Sequence, residues 1–388
     1  MKIDKNYYFK LWLGLVFIYL ILKMEDILEI SLIGSTTQLF LLYVAYALGI
    51  LFFFIYREHV VNRFIFFTIL FVGLGIVSTL IWGRSLTNLL HDIVYMSFWL
   101  LALRICFCCR EILVKDRFIV HMLVISDVLM IFSFIFWFLN GGRSSVAAVN
   151  AVYFITCLFP IVFLDINKYI RIFIIVSSTA SALLSAKRTA FIVLVLAFSL
   201  PYMIRLLRSG RKNKLRTIVS LIVLLLLIVY LYDYLLVRFN ITIFERFQSI
   251  SEDGGSGRLD IYSSVIEAFR NSGIMNKLLG HGYNGVFNYG VTYTSAHNDF
   301  LEVLYDNGLI GLLLYLSFIV KLIITTIKLL KSGKEIACAV LSALMVFLCM
   351  SITSHLIIYP TYFIYIVVIV MMGQSALDER GADENIAY

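Results

Sequence analysis

Runs of apolar residues close to twenty long recur along nearly the whole chain, and no other feature narrows its fold as much. Each is about the length an α-helix needs to cross a bilayer's hydrocarbon core, roughly 20 residues at 1.5 Å rise. They lie near 7–23, 38–56, 64–82, 90–109, 118–140 and 146–164, then near 170–186, 188–207, 217–236, 308–329, 336–354 and 356–373. Backbone polar groups find no water at that depth, so helices that satisfy their own hydrogen bonds are the workable solution. Composition agrees: 61% of the 388 residues are hydrophobic, 14% are charged and only three are proline. A soluble domain would carry about 25% charged residues. The expected fold is all-α, a polytopic membrane helix bundle of about twelve transmembrane helices.

The net charge of +8 invites a nucleic-acid reading, and its distribution argues against one. The densest basic run, Arg205, Arg208, Arg211, Lys212, Lys214 and Arg216, falls between two apolar spans, where it acts as a topogenic loop. The six cysteines form no disulfide framework. Cys106, Cys108 and Cys109 close one span, while Cys157, Cys338 and Cys349 lie inside others. No companion ligands stand at zinc spacing, so these are packing residues and no metal or cofactor is expected. After the first apolar run come Lys23, Glu25 and Asp26 rather than a small-residue cleavage pattern, so it is expected to be a retained helix.

Alternate loops fall into two sets. One holds the amino terminus, 57–63, 110–117, 168–171, 205–216, 331–334 and the carboxyl terminus, and it is rich in Lys and Arg. The other holds 24–37, 83–89, 141–145, the tight turn at Lys187–Arg188, 237–307 and 354–356. By the positive-inside rule both termini are cytoplasmic and 237–307 faces outward. The chain then divides into a nine-span bundle (1–236), an external loop (237–307), and three spans with a cytoplasmic tail (308–388). Within the loop, Asp253–Gly257 is a flexible break. Beyond it Leu259, Tyr262, Val265, Ile266, Phe269 and Ile274 recur at helical spacing, which predicts an amphipathic helix along the membrane surface.

Three residues on the outward side carry chemistry. Arg188 ends a span in SAKRTAF, Arg258 opens the amphipathic segment, and His297 precedes the next span in SAHNDFLE. Paired guanidinium groups suit a diphosphate, and an imidazole beside them suits a sugar hydroxyl. Blander readings stand alongside. Arg188 anchors a helix end, Arg258 pairs with Asp260 or Glu252, and His297-Asn298 caps the span beginning at Asp299. Asp127, mid-span, is read as hydrogen-bonded to Ser126, Ser133 or a neighbouring helix. His281, set among glycines, is read as a surface residue. His91, Asp92 and Arg84 lie near the outer face as candidates for the acceptor side, and His355 flanks the last outer turn.

Ordered motifs then set a direction. Ser185-x-x-Arg188-Thr189-Ala190, Gly257-Arg258, Gly280-x-Gly282 with Phe287, Ala296-His297-Asn298-Asp299-Phe300-Leu301-Glu302 and Asp306-Asn307-Gly308-Leu309-Ile310-Gly311 occur in that sequence. Together they resemble the O-antigen ligase and polymerase superfamily over about residues 170–330. Tyr262 stands where relatives often carry Trp, and Lys187 adds a cation beside Arg188.

The resemblance implies a GT-C-like, inverting, metal-independent glycosyltransferase of the bacterial cytoplasmic (inner) membrane. It implies an undecaprenyl-diphosphate-linked glycan as donor and, for a polymerase, as acceptor. It also carries roles over. Arg188 and Arg258 would bind the departing diphosphate, His297 would position or deprotonate the acceptor hydroxyl, Asn298 and Glu302 would orient His297 or contact sugar, and Lys187 and Tyr262 would contact substrate. Membrane lipids, a flippase and a chain-length regulator are the partners implied, and no nucleic acid. A repeat-unit polymerase is favoured over a ligase because no further outer domain is visible. A lipid-linked oligosaccharide transporter is the reading from another class; it predicts ionisable residues deep in several spans.

Overall fold

The computed structural model describes residues 4–31, 33–56, 63–83, 89–142, 146–208, 254–357 and 359–386, with isolated positions between 209 and 253. These residues fold as an all-α bundle. Its long elements are α1 (Lys5–Ile27), α2 (Ser35–Tyr56), α3 (Arg63–Trp82), α4 (Leu89–Cys108), α6 (Arg117–Leu139), α8 (Lys168–Leu184) and α9 (Arg188–Arg208). Between them lie the short α5 (Arg110–Lys115) and α7 (Val146–Leu158), the latter running into a 3₁₀ turn at Phe159–Phe163. The second half comprises α10 (Gly254–Asn271), the short α11 (Ile274–Leu279) and α12 (Gly285–Asn288), then α13 (Asp299–Ser332), α14 (Ala337–Thr353) and α15 (Pro360–Ile386).

Among the described residues, eight helices are long and apolar enough to cross a membrane, and two shorter apolar ones, 150–163 and 337–353, lie among them. The span expected at 217–236, the charges at 211–214, 238, 245, 246, 252 and 253, and Arg84 lie outside the described residues. Helix starts follow local chemistry. Asp4, Asp116 and Asn167 cap α1, α6 and α8 by accepting the backbone N–H two residues on.

The interior is rich in aromatic side chains, some of which bond backbone carbonyls across helices. Trp12 donates its indole N–H to the Ala45 carbonyl (2.9 Å), and Tyr8 its hydroxyl to Leu48 (2.7 Å). The outer surface is apolar as well: Phe54, Leu80, Phe136, Ile172 and Val320 all stand exposed. So broad an apolar exterior would aggregate in water and is at home in lipid. Cys106, Cys109 and Cys157 are buried, and the cysteines are free thiols, as their packing role requires.

The two ends of the bundle differ. At one end Lys5 bonds the Cys108 carbonyl (2.9 Å), Arg110 pairs with Asp378 (3.1 Å), Arg117 pairs with Asp165 (2.8 Å), and Lys10 meets Asp116. This basic end gathers both ends of the chain. The opposite end collects the start of α9, the α10–α12 segment, the start of α13 and the turn between α14 and α15.

Two expectations need correction. Asp127 is fully buried, yet neither carboxylate oxygen meets a donor among the described residues. Ser126 bonds the Met122 carbonyl and Ser133 bonds Glu25, which sits on a different helix. In α10 the inward row is Ile261 and Val265 with Tyr262, Ala268 and Phe269, packed on Val286, Ala296 and Tyr305. Leu259 and Ile274, expected on that face, are exposed. Three of the six expected residues, Tyr262, Val265 and Phe269, do lie on the inward face, and Ile261 and Ala268 complete it because Val286, Ala296 and Tyr305 pack there.

Candidate active site

A glycine crossing fixes the loop onto the bundle. The chain at Gly280 passes so close to α13 that a Cβ there would strike the Asp306 carbonyl, and one at Gly308 would strike the Leu278 carbonyl. Both glycines have positive φ, 87° and 68°, a region costly to residues with a Cβ. The contact is then sewn by backbone bonds from His281 N to the Tyr305 carbonyl (3.0 Å) and Gly282 N to the Asp306 carbonyl (2.9 Å). Asp306 Oδ1 accepts from Gly285 N (2.8 Å), which caps α12. The loop also reaches α3: Tyr283 N donates to Thr79 (2.9 Å) and the Tyr289 hydroxyl to the Trp82 carbonyl (2.7 Å).

His281 belongs to this framework and is not a surface residue. It is 7% exposed and stacks on Tyr305 at 4.0 Å. Its Nδ1 faces the Tyr305 carbonyl (3.0 Å) and its Nε2 faces Ser272 (3.1 Å). Burial lowers its pKa, and the neutral ring fits both contacts.

His297 sits in the turn before α13 with φ 51°, a strained conformation for a residue with a side chain. Its neighbours hold that turn. Asn298 caps α13, accepting from Phe300 N (3.0 Å) and Leu301 N (3.2 Å), while its amide donates to the Ile352 carbonyl (3.1 Å). Glu302 is buried and accepts from Ala296 N (2.5 Å), and its other oxygen meets no donor among the described residues. The Tyr262 hydroxyl reaches the His297 carbonyl (3.3 Å) and the Ile352 carbonyl (3.4 Å). The cap reading of Asn298 therefore holds, and all three side chains engage backbone around His297. Asn298→Ala is expected to cost about 1 kcal/mol through the lost cap. That loss is measured as a lower thermal midpoint in detergent, with transfer per folded molecule reduced because the His297 turn loosens.

A second imidazole completes the centre. His355, in the turn between α14 and α15, places its ring 5.0 Å from that of His297. Its Nδ1 bonds Ser295 (3.0 Å), its carbonyl accepts from Tyr362 (2.7 Å), and its ring lies 4.8 Å from Tyr359. The turn itself is clamped by buried Asp299, whose Oδ1 accepts from Leu356 N (2.8 Å) and Ile357 N (3.3 Å). Sequence reasoning ranked His355 second and missed Asp299. The available signal was that His355 is the only Asp, Glu, Lys, Arg or His between Glu335 and Asp378.

Two cations face this pair. Burial first, then the charges of Arg258 and Lys187, press the His297 pKa down to about 4. Burial, His297, Lys187 and Arg258 press His355 to about 3. Both rings are thus uncharged at neutral pH and able to accept a proton. Among the described residues Arg258 makes no ion pair, so its pairing with Asp260 is not formed. Lys187 emerges from the turn between α8 and α9, where Ala186 takes φ 50° and Ser185 accepts from Lys187 N (3.3 Å). Its ammonium lies over the Tyr153 ring at 5.1 Å. Arg188 follows as the first residue of α9, half-buried. Arg258 and Lys187 both act electrostatically on the two imidazoles.

Every member of this cluster except His355 lies within residues 172–316, which match the family model described as O-antigen ligase. That match supports a likeness to the O-antigen ligase/polymerase superfamily over this part of the chain. No curated protein matched the chain. Its long apolar helices mark a multi-pass membrane protein, and the matched region includes the entire α10–α12 segment and the glycine crossing.

Proposed function

We propose that this chain is a membrane-embedded, inverting, metal-independent glycosyltransferase that polymerises undecaprenyl-diphosphate-linked oligosaccharide repeat units into a surface polysaccharide. The observation that carries the reading is the meeting of two cations, Arg258 and Lys187, with two uncharged imidazoles at the non-basic end of an apolar bundle. That end faces outward if the basic loops and both termini are cytoplasmic. Lipid-linked substrate would lie with its chain in the bilayer and its diphosphate at the level of α9 and α10.

The chemistry follows from these groups. An acceptor hydroxyl attacks the donor's anomeric carbon, and the bond from that carbon to the diphosphate oxygen breaks. The carrier leaves as undecaprenyl diphosphate, and the hydroxyl proton passes to the free nitrogen of His297. Direct displacement inverts the anomeric centre. Arg258, with Lys187 and Arg188, stabilises charge as it develops on the departing diphosphate. Asn298, Glu302 and Tyr262 position His297; Asp299 positions His355. The domain's chemistry concerns the donor and suits a ligase equally, so the acceptor divides the two. A second lipid-linked unit is the acceptor adopted in this reading. A flippase and a chain-length regulator are the membrane partners this reading implies in the cell.

The test is a reconstituted assay with purified protein, a metal chelator and the host's lipid-linked repeat unit as sole substrate. A ladder of longer lipid-linked glycans is expected, with Arg258→Ala lowering the rate about 10²–10³-fold, as removal of one transition-state donor does. Transfer only after a separate core or protein acceptor is added makes the chain a ligase. No transfer in either case, with variants unaltered in cells, returns the reading to transport.

A further inference from the structure

A second polar concavity lies at the same end of the bundle, away from the histidines. It encloses about 260 Å³ between the end of α1 and the starts of α2 and α4. Its walls are Tyr19 and Lys23, Ser35 and Gln38, His91 and Tyr95. His91 stacks on Tyr95 at 4.1 Å. Flat rings and neutral hydrogen-bonding groups therefore alternate around one small space.

Gln38 is the telling wall. It is 1% exposed, its amide N–H groups are held by Ser31 (3.2 Å) and the Ile33 carbonyl (3.1 Å), and its Oε1 meets no donor among the described residues. A buried acceptor left without a donor is costly unless something supplies one. A hydroxylated ligand would. The charges are balanced rather than cationic: Lys23 is bonded to Asp26 (3.1 Å) and His91 stands by Asp92 (3.6 Å). That disfavours a diphosphate and suits an uncharged, hydroxyl-rich ring with apolar faces.

We propose that the space between α1, α2 and α4 is a saccharide subsite, holding one sugar of the glycan at a distance from the bond being made. This rests on the glycosyltransferase reading above for its purpose, though not for its ligand chemistry.

The experiment uses the free repeat-unit oligosaccharide, released from its lipid carrier, and purified full-length protein in detergent, with saturation-transfer NMR as readout. Binding is expected in the unaltered protein and in His297→Ala. It is expected to weaken about tenfold in Gln38→Leu, the effect of one lost hydrogen bond to a neutral group. It should weaken likewise in His91→Ala, a partly exposed position whose truncation leaves the core packing alone. Absence of binding to the unaltered protein, or equal binding by both variants, overturns the subsite. Transfer is measured in parallel. Binding without transfer to any acceptor sinks the enzymatic reading and leaves the subsite standing. Transfer with an unchanged KM in both variants does the reverse.

Discussion

His297→Ala is expected to lower glycan transfer about 10²–10⁴-fold, the usual worth of a placed general base, with KM for the lipid-linked substrate little changed. The geometry behind this is a neutral ring held by a strained turn and kept unprotonated first by burial, then by the charges of Arg258 and Lys187. The same causes set the pH profile. An ordinary histidine titrates near 6.5 and would lose its function as a base below that. With its pKa near 4, His297 remains a free base throughout the range between, so kcat should stay level from neutral pH down to about 5 and fall only as pH nears about 4. Lys187→Met removes one of the two charges, so its acid limb should move to higher pH. That movement is separable from any loss of amplitude, and a limb that stays in place would remove Lys187 from the centre.

Stability runs differently over that interval. The native pKa values of His297 and His355 lie below the unfolded value, so as pH falls below about 6.5 the unfolded chain takes up protons before the native protein does. The contribution from keeping these rings neutral is complete above about 6.5 and is lost progressively towards about 4 and about 3. The thermal midpoint should therefore decline across a window in which the rate per folded molecule is constant.

How much of this was legible depended on how local each cause was. The apolar runs announced a bundle because bilayer thickness dictates helix length, whatever the helices pack against. His297 and Arg258 were legible from short motifs. The tight turn before Arg188 was legible too, because two apolar spans abut there. His355 was harder: it reaches His297 only because Asp299 grips Leu356 N across 57 residues of chain. Nothing in either neighbourhood states that pairing. The inner face of α10 was misjudged for a related reason, since the surface covering Ile261 and Val265 comes from Val286, Ala296 and Tyr305 further along. Asn298 and Glu302 were legible as candidates for orienting His297 or contacting sugar, and both engage the backbone of its turn; adjacency in sequence does not separate the two roles.

Gly308→Ala should be, with Gly280→Ala, among the most damaging single methyl additions in the loop framework. Its residue has φ 68° inside an otherwise continuous α13, and an added Cβ would press on the Leu278 carbonyl and lie 2.7 Å from Gly280 N. Left-handed strain costs about 1–3 kcal/mol and forced overpacking a further 1–3, so a loss of about 2–6 kcal/mol is expected. Gly290 supplies the control. It too has positive φ, 66°, but nothing lies within 4 Å of an added Cβ, so Gly290→Ala should show the strain component alone. Thermal unfolding of the two variants side by side measures the difference, and equal midpoints would mean that the crossing is not tight. The larger loss should come with proteolytic exposure of the 280–296 loop, because the crossing holds the bonds from His281 and Gly282 to Tyr305 and Asp306. α13 carries His297 at one end of the same segment, so a methyl group at Gly308, on the far side of Asp306, should also disturb the turn that presents the imidazole. Activity should then fall further than the folded fraction.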